Sequence, residues 1–128
     1  MIVIDTSALM AIVLNEPQAG PCMTAIEQNR ELAISAATLA ETLVVAARRG
    51  LGPAMEQLVA DLTMETVPVT AAGGRRVASA YARWGRGIHR AALNFGDCFA
   101  YALAKEYGCP LLFVGNDFAR TDIAGAVP

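Results

Sequence analysis

Asp5, Glu41, Asp97 and Asp117 are the side chains of this sequence with the clearest claim to chemistry. Each stands at the start of a helical segment or inside one, among small or apolar neighbours. Four carboxylates drawn into one pocket repel one another and stay ionised only around a cation. A donor set of hard oxygens, with no histidine or thiolate in it, suits magnesium, with manganese as a substitute, rather than zinc or copper. The chemistry such a site supports is metal-assisted hydrolysis of a phosphodiester. Metal ions there activate water and stabilise charge on the phosphoryl oxygens without a dedicated side-chain base.

Each acid also has a local explanation. Asp5 follows an apolar run and suits the amino-terminal end of a helix. Glu41 has Ala37, Thr38, Val44 and Val45 three and four residues away, so it lies on no charged stripe, although Arg48 is within reach as a surface partner. Asp97 comes three residues after Asn94, where a first-turn acid favours the helix on structural grounds alone. Asp117 follows Gly115-Asn116 and can organise a turn, and Asp122 reads as a cap or turn residue.

The elements that must position these acids are readable from periodicity and stop signals. Met1–Ile4 is a short apolar strand, and Thr6 or Ser7 is placed to cap a helix over Ala8–Leu14. Helices are predicted over Gln18–Gln28, Ala36–Arg49, Pro53 to about Thr63, Ala71–Trp84 and Phe95–Tyr107, the last capped by Asn94 and stopped by Gly108 and Pro110. Strands are predicted at Leu32–Ser35, at Glu65–Val69, where Pro68 argues for an edge, and at Leu111–Val114, which reads as the clearest buried strand. A short turn or helix, Asn116–Asp122, follows. Strands alternating with helices imply a parallel sheet covered on both faces, with sites beyond the carboxyl ends of the strands. Asp5 and Asp117, each just after a strand, should reach one edge.

The composition fits this α/β reading. A chain of 128 residues with 55% hydrophobic and 17% charged residues makes one domain with a real core, so residues 1–128 are read as a single domain. No apolar run approaches the roughly 18 to 20 residues of a membrane span. Three cysteines without paired spacing suggest neither a disulfide framework nor a zinc site, and a reducing cytoplasm is expected. Net charge is −2, so binding a polyanion requires a local basic patch. Arg83, Arg86, His89 and Arg90 supply one, with Trp84 as a candidate stacking face. The competing reading is a solvated surface beside a glycine-rich loop, with Trp84 in the core.

Taken together, four segments resemble a known family. They are Ile2-Val3-Ile4-Asp5-Thr6-Ser7-Ala8-Leu9, Ala40-Glu41-Thr42, Asn94-Phe95-Gly96-Asp97-Cys98-Phe99-Ala100-Tyr101-Ala102-Leu103-Ala104, and Leu111-Leu112-Phe113-Val114-Gly115-Asn116-Asp117-Phe118 with Thr121-Asp122-Ile123. In this order they resemble the PIN-domain ribonucleases, and within them the VapC toxins of bacterial toxin–antitoxin pairs. The resemblance implies a three-layer α/β/α sandwich with a central, mostly parallel sheet of four to five short strands. It implies that Asp5, Glu41, Asp97 and Asp117 are the acidic metal-binding quartet, with Thr6 the hydroxyl beside the first acid. Many relatives carry a hydroxyl residue where this chain has Gly115, and some carry a second acid where it has Asn116. The implied activity is endoribonuclease cleavage leaving 5′-phosphate and 3′-hydroxyl ends. The implied partners are RNA, a VapB-like antitoxin and a second copy of the chain.

Two rivals follow from the same residues. One is a catalytically silent PIN-like module that binds RNA or protein and keeps its acids for folding. The other is phosphoryl transfer through an aspartyl nucleophile at Asp5, for which Ser7 stands where a second acid is needed and the sole lysine, Lys105, lies near a helix end. Neither phosphate-binding glycine pattern occurs.

Overall fold

The computed structural model describes residues 1–127, and in it each of the first three strands is followed by a pair of helices. The strands are β1 (Ile2–Ile4), β2 (Leu32–Ser35), β3 (Glu65–Val67) and β4 (Leu111–Leu112). The helices are α1 (Thr6–Val13), α2 (Ala19–Glu27), α3 (Ala36–Arg48), α4 (Gly52–Leu62), α5 (Ala71–Trp84) and α6 (Phe95–Tyr107), with a 3-10 turn at Phe118–Arg120. The four strands form one sheet in the order β3-β2-β1-β4, with every pairing parallel.

Period-two alternation sends successive strand residues to opposite faces. Val3, Ala33 and Leu111 meet Val77, Ala80, Trp84, Tyr101 and Leu103 of α5 and α6 on one side. Ile2, Ile4, Ile34 and Leu112 meet Leu9, Cys22, Ile26, Ala46 and Met55 of α1 to α4 on the other. Each fully buried aliphatic side chain contributes about 1.5–3 kcal/mol relative to exposure. The result is the three-layer α/β/α sandwich expected, with four strands.

Topology then determines where a site can form. From β1 the chain steps outward to β2 and β3 through helices on one face, then returns with α5 and α6 on the other face to lay β4 beside β1. The connections therefore diverge at the carboxyl ends of β1 and β4, the crevice where open α/β sheets bind ligands. Asp5 and Asp117 follow those two strands.

Several local expectations are corrected. Asp5, not Thr6 or Ser7, caps α1: its backbone is extended and its carboxylate accepts the Ser7 N–H. The strand expected at Leu111–Val114 stops at Leu112 and lies at the sheet edge, because the Val114 N–H leaves the ladder and donates to Ser7 Oγ at 3.0 Å. Only an isolated bridge to Gly125 extends the sheet beyond it among the described residues. β3 ends before Pro68, at the opposite edge, as the missing proline N–H requires. The Asn116–Asp122 segment contributes one short 3-10 turn. No helix of the described residues is long and apolar enough to cross a membrane.

Candidate active site

Asp5 anchors the site. It is 3% exposed, and both the backbone N–H and the hydroxyl of Ser7 donate to its Oδ2, at 3.0 and 2.6 Å. Its Oδ1 is buried with no hydrogen-bond partner. A buried carboxylate oxygen left unsatisfied is costly, and in a native fold it calls for a specific explanation. Burial raises the Asp5 carboxyl to about 6; the Ser7 hydrogen bonds oppose the rise and the Glu41 charge adds to it.

Glu41 reaches this corner from α3. The Thr6 hydroxyl donates to its Oε1 at 2.7 Å and lies 2.9 Å from the Thr42 hydroxyl. Thr42 is fully buried and is also 2.8 Å from the Thr38 carbonyl, the back-bond typical of a helical threonine. Thr42, Thr6 and Glu41 thus form one polar line; the Thr6 proton goes to Glu41, and the single Thr42 proton is shared between the Thr38 carbonyl and the Thr6 oxygen.

Asp97 comes from the first turn of α6. Asn94 and Asp97 form a capping box: the Asp97 N–H donates to Asn94 Oδ1 at 2.8 Å, and the Asn94 N–H donates to Asp97 Oδ2 at 3.0 Å. Burial raises its carboxyl to about 6. The Asn94 hydrogen bond opposes the rise, while the charges of Asp5, Glu41 and Asp117 add to it. Asp97 therefore feels the charge of each of the other three acids. Asp117 and Asn116 are exposed at the rim. Gly115 has φ +106, the left-handed region that disfavours side chains, which explains why no hydroxyl residue stands there.

The acids share a corner without forming a closed coordination sphere. Among the described residues no group of three or more His, Cys, Asp or Glu side chains is arranged to hold a metal ion. In each of Asp5, Glu41 and Asp97 a protein donor holds one carboxylate oxygen and leaves the other free of it. Of these free oxygens Asp5 Oδ1 is the one buried without a partner. An orphaned carboxylate oxygen beside three further acids is a donor set that fits a hard divalent cation.

The predicted nucleic-acid face divides in two. Trp84 is buried and offers no free face: its indole N–H donates to the Tyr101 hydroxyl at 2.9 Å, His89 packs against it in a T-shaped pair with ring centroids 4.7 Å apart, and the Arg83 guanidinium lies 4.5 Å from its centroid. It is withdrawn as a stacking platform, and Arg83 is further held by Asp122 at 3.5 Å. Asp122 also accepts from Tyr101 at 2.5 Å and pairs with Lys105, so it ties the carboxyl-terminal segment to α6. Half-buried His89 accepts the Ala91 N–H within its own loop. Arg86 and Arg90 are exposed and make no ion pair among the described residues. Their loop is closed at its neck by the Gly85–Leu93 bridge, immediately before the Asn94 cap of α6.

Three residues of this corner escape a reading of the sequence for acids and bases. Ser7 reads there only as a helix cap, yet it fixes Asp5 and the end of β4. Thr42 looks like a helix filler. Gly96 carries a signal in retrospect, since a glycine inside a first helical turn costs stability relative to alanine. A Cβ built on Gly96 would overlap Glu41 Oε2 and stand 2.9 Å from its Cδ.

The PIN-domain family profile matches residues 2–124. The chain is 44% identical over 125 residues to ribonuclease VapC30 of Mycobacterium tuberculosis, covering 95% of each chain. It is 42% identical to a ribonuclease VapC of Mycolicibacterium smegmatis, covering 95% of this chain and 97% of that one. Among solved structures, M. tuberculosis VapC20, described as a Sarcin-Ricin loop cleaving toxin, superposes with a TM-score of 0.81 over 100% of both chains at 18% identity. A VapBC-5 toxin–antitoxin structure from M. tuberculosis gives 0.61 at 27% identity, over 98% and 94% of the two chains.

Proposed function

This chain belongs to the PIN-domain family, and from that premise we propose that it is an endoribonuclease toxin of the VapC kind, hydrolysing RNA phosphodiester bonds and neutralised by a cognate antitoxin. One PIN domain accounts for residues 1–128. The observation that carries the reading is Asp5 Oδ1, a buried and unpartnered carboxylate oxygen at the β1/β4 crevice beside Glu41, Asp97 and Asp117.

Asp5, Asp97, Glu41 and Asp117 would hold magnesium or manganese, with Asp5 and Asp97 the principal ligands. When bound, such an ion supplies Lewis-acid activation of water and neutralises charge on the phosphoryl oxygens. The protein's own part is positioning. Ser7 immobilises one oxygen of Asp5 and so aims the other. Thr6 holds Glu41, which orients water or joins the ion-binding set, and the Asn94 N–H holds Asp97. Asp117 completes the set from the exposed rim, with Asn116 beside it. Arg86 and Arg90, on the loop that leads into α6, would contact RNA phosphates. A VapB-like antitoxin is the protein partner, by likeness to the toxin–antitoxin structure above, and a second copy of the chain is proposed as a further partner.

The test is cleavage of RNA by the purified chain with Mn2+ or Mg2+, against EDTA and against Asp97→Asn, with new 5′-phosphate ends mapped. Cleavage that needs both the ion and Asp97 is expected. RNA binding without any cleavage would instead favour a catalytically silent module.

A further inference from the structure

We infer that Gly96 is a positioning residue for Glu41: the bare α-carbon in the first turn of α6 provides the space that the Glu41 carboxylate occupies. This rests on the metal-dependent reading of the site. The observation is steric. A Cβ at Gly96 would overlap Glu41 Oε2 and crowd Cδ at 2.9 Å and Oε1 at 3.3 Å. No other glycine of the chain has a carboxylate against its missing side chain among the described residues.

Nothing in the backbone requires glycine here. Gly96 is not among the positive-φ residues, and it lies inside a helix where alanine is the better former. Glycine therefore costs helix stability at this position and returns none of it through conformation. Its other consequence is to let α3 and α6 bring Glu41 and Asp97 together, since Gly96 immediately precedes Asp97 in the chain. Thr6, itself in contact with the Thr42 hydroxyl, holds the Glu41 carboxylate from one side, and the open face of Gly96 receives it on the other. The group that must yield to a methyl is the far end of a flexible side chain. The fold therefore tolerates the substitution, while Glu41 gives up its place and its bond to Thr6.

The test is a double-mutant cycle between Gly96→Ala and Glu41→Asp, the latter shortening the acid by one methylene. The readouts are Mn2+ affinity by calorimetry, RNA cleavage and melting temperature. Gly96→Ala alone is expected to lose roughly 10- to 100-fold in Mn2+ affinity or cleavage, the range for residues that orient metal ligands, with a melting temperature equal to or above wild type. In the Glu41→Asp background the same substitution is expected to cost nothing further. A Gly96→Ala protein that both binds Mn2+ and cleaves RNA like wild type overturns the inference, and so does a loss that persists undiminished beside Glu41→Asp. A crystal structure of Gly96→Ala tests the same point independently of activity: Glu41 displaced from Thr6 is the expected result, and an unmoved carboxylate overturns it. If wild type itself neither binds Mn2+ nor cleaves RNA, the proposed function fails, and the crystallographic readout still decides the role of Gly96.

Discussion

The Thr6 hydroxyl donates to Glu41 Oε1 at 2.7 Å and joins residues 35 apart in the chain. Because Thr6 is the first residue of α1 and Glu41 lies mid-way along α3, this bond couples the segment carrying Asp5 to the helix carrying the second acid. Thr6→Val removes the donor at nearly constant volume. A cleavage rate lower by roughly 10- to 100-fold is expected. Thr6→Ser, which restores the hydroxyl, should recover most of it, and single-turnover kinetics with both variants is the check.

Asp5 makes the metal-free protein sensitive to pH with a defined sign. Burial lifts its folded-state value to about 6 from the ordinary 3.8, so the folded state binds the proton more tightly than the unfolded chain. The resulting stabilisation is complete below about 3.8 and is lost as pH rises through about 6. At neutral pH the ionised group costs up to about 3 kcal/mol, taking roughly two pH units at about 1.36 kcal/mol each. Asp5→Asn should therefore be relatively more stable at about pH 7.5 than at about pH 4 when both proteins are unfolded by urea in EDTA. A stability difference independent of pH would contradict the assignment.

Metal removal should act on the same residue. With Mn2+ at about 100 times its dissociation constant, wild type gains about 2.7 kcal/mol. EDTA abolishes the gain. Asp5→Asn and Asp97→Asn should show no gain while remaining folded, as read by thermal melting with and without the ion. Both variants should also fail to cleave RNA.

Tyr101 is expected to matter for folding and not for catalysis. Its hydroxyl accepts from Trp84 and donates to Asp122. Tyr101→Phe leaves the buried indole N–H unpaired, at a cost of about 1–3 kcal/mol. Urea unfolding should register that loss. Cleavage per folded molecule should stay near wild type.

Arg86 and Arg90 should announce RNA contact through salt. Each phosphate contact on a single strand contributes roughly 0.7 to the slope of log affinity against log salt. Arg86→Glu and Arg90→Glu should each flatten that slope by about this amount at little cost in stability, since both are exposed and outside any ion pair among the described residues. Arg83→Glu should instead lower stability by placing a like charge beside Asp122. Unchanged slopes for Arg86 and Arg90 would take their loop out of the RNA path.

The sequence by itself determined the elements, because the signals for them are local. The strand at Leu32–Ser35, the helices Ala71–Trp84 and Phe95–Tyr107, the Asn94 cap and the Gly108 stop are written within a few residues of where they act, and all stand as read. The four acids were likewise visible as residues out of place on apolar ground. Only the tertiary structure decided their neighbours. The order β3-β2-β1-β4 brings the ends of β1 and β4 together, and no periodicity encodes which strands pair. Trp84 beside arginines looks the same in sequence whether its ring faces RNA or Tyr101; burial chose Tyr101. Ser7 and Gly96 act through groups far along the chain, a hydroxyl on the Val114 N–H and an absent methyl beside Glu41. Such long-range contacts come from packing two layers of helices on one sheet, and a linear sequence displays them only after it has folded.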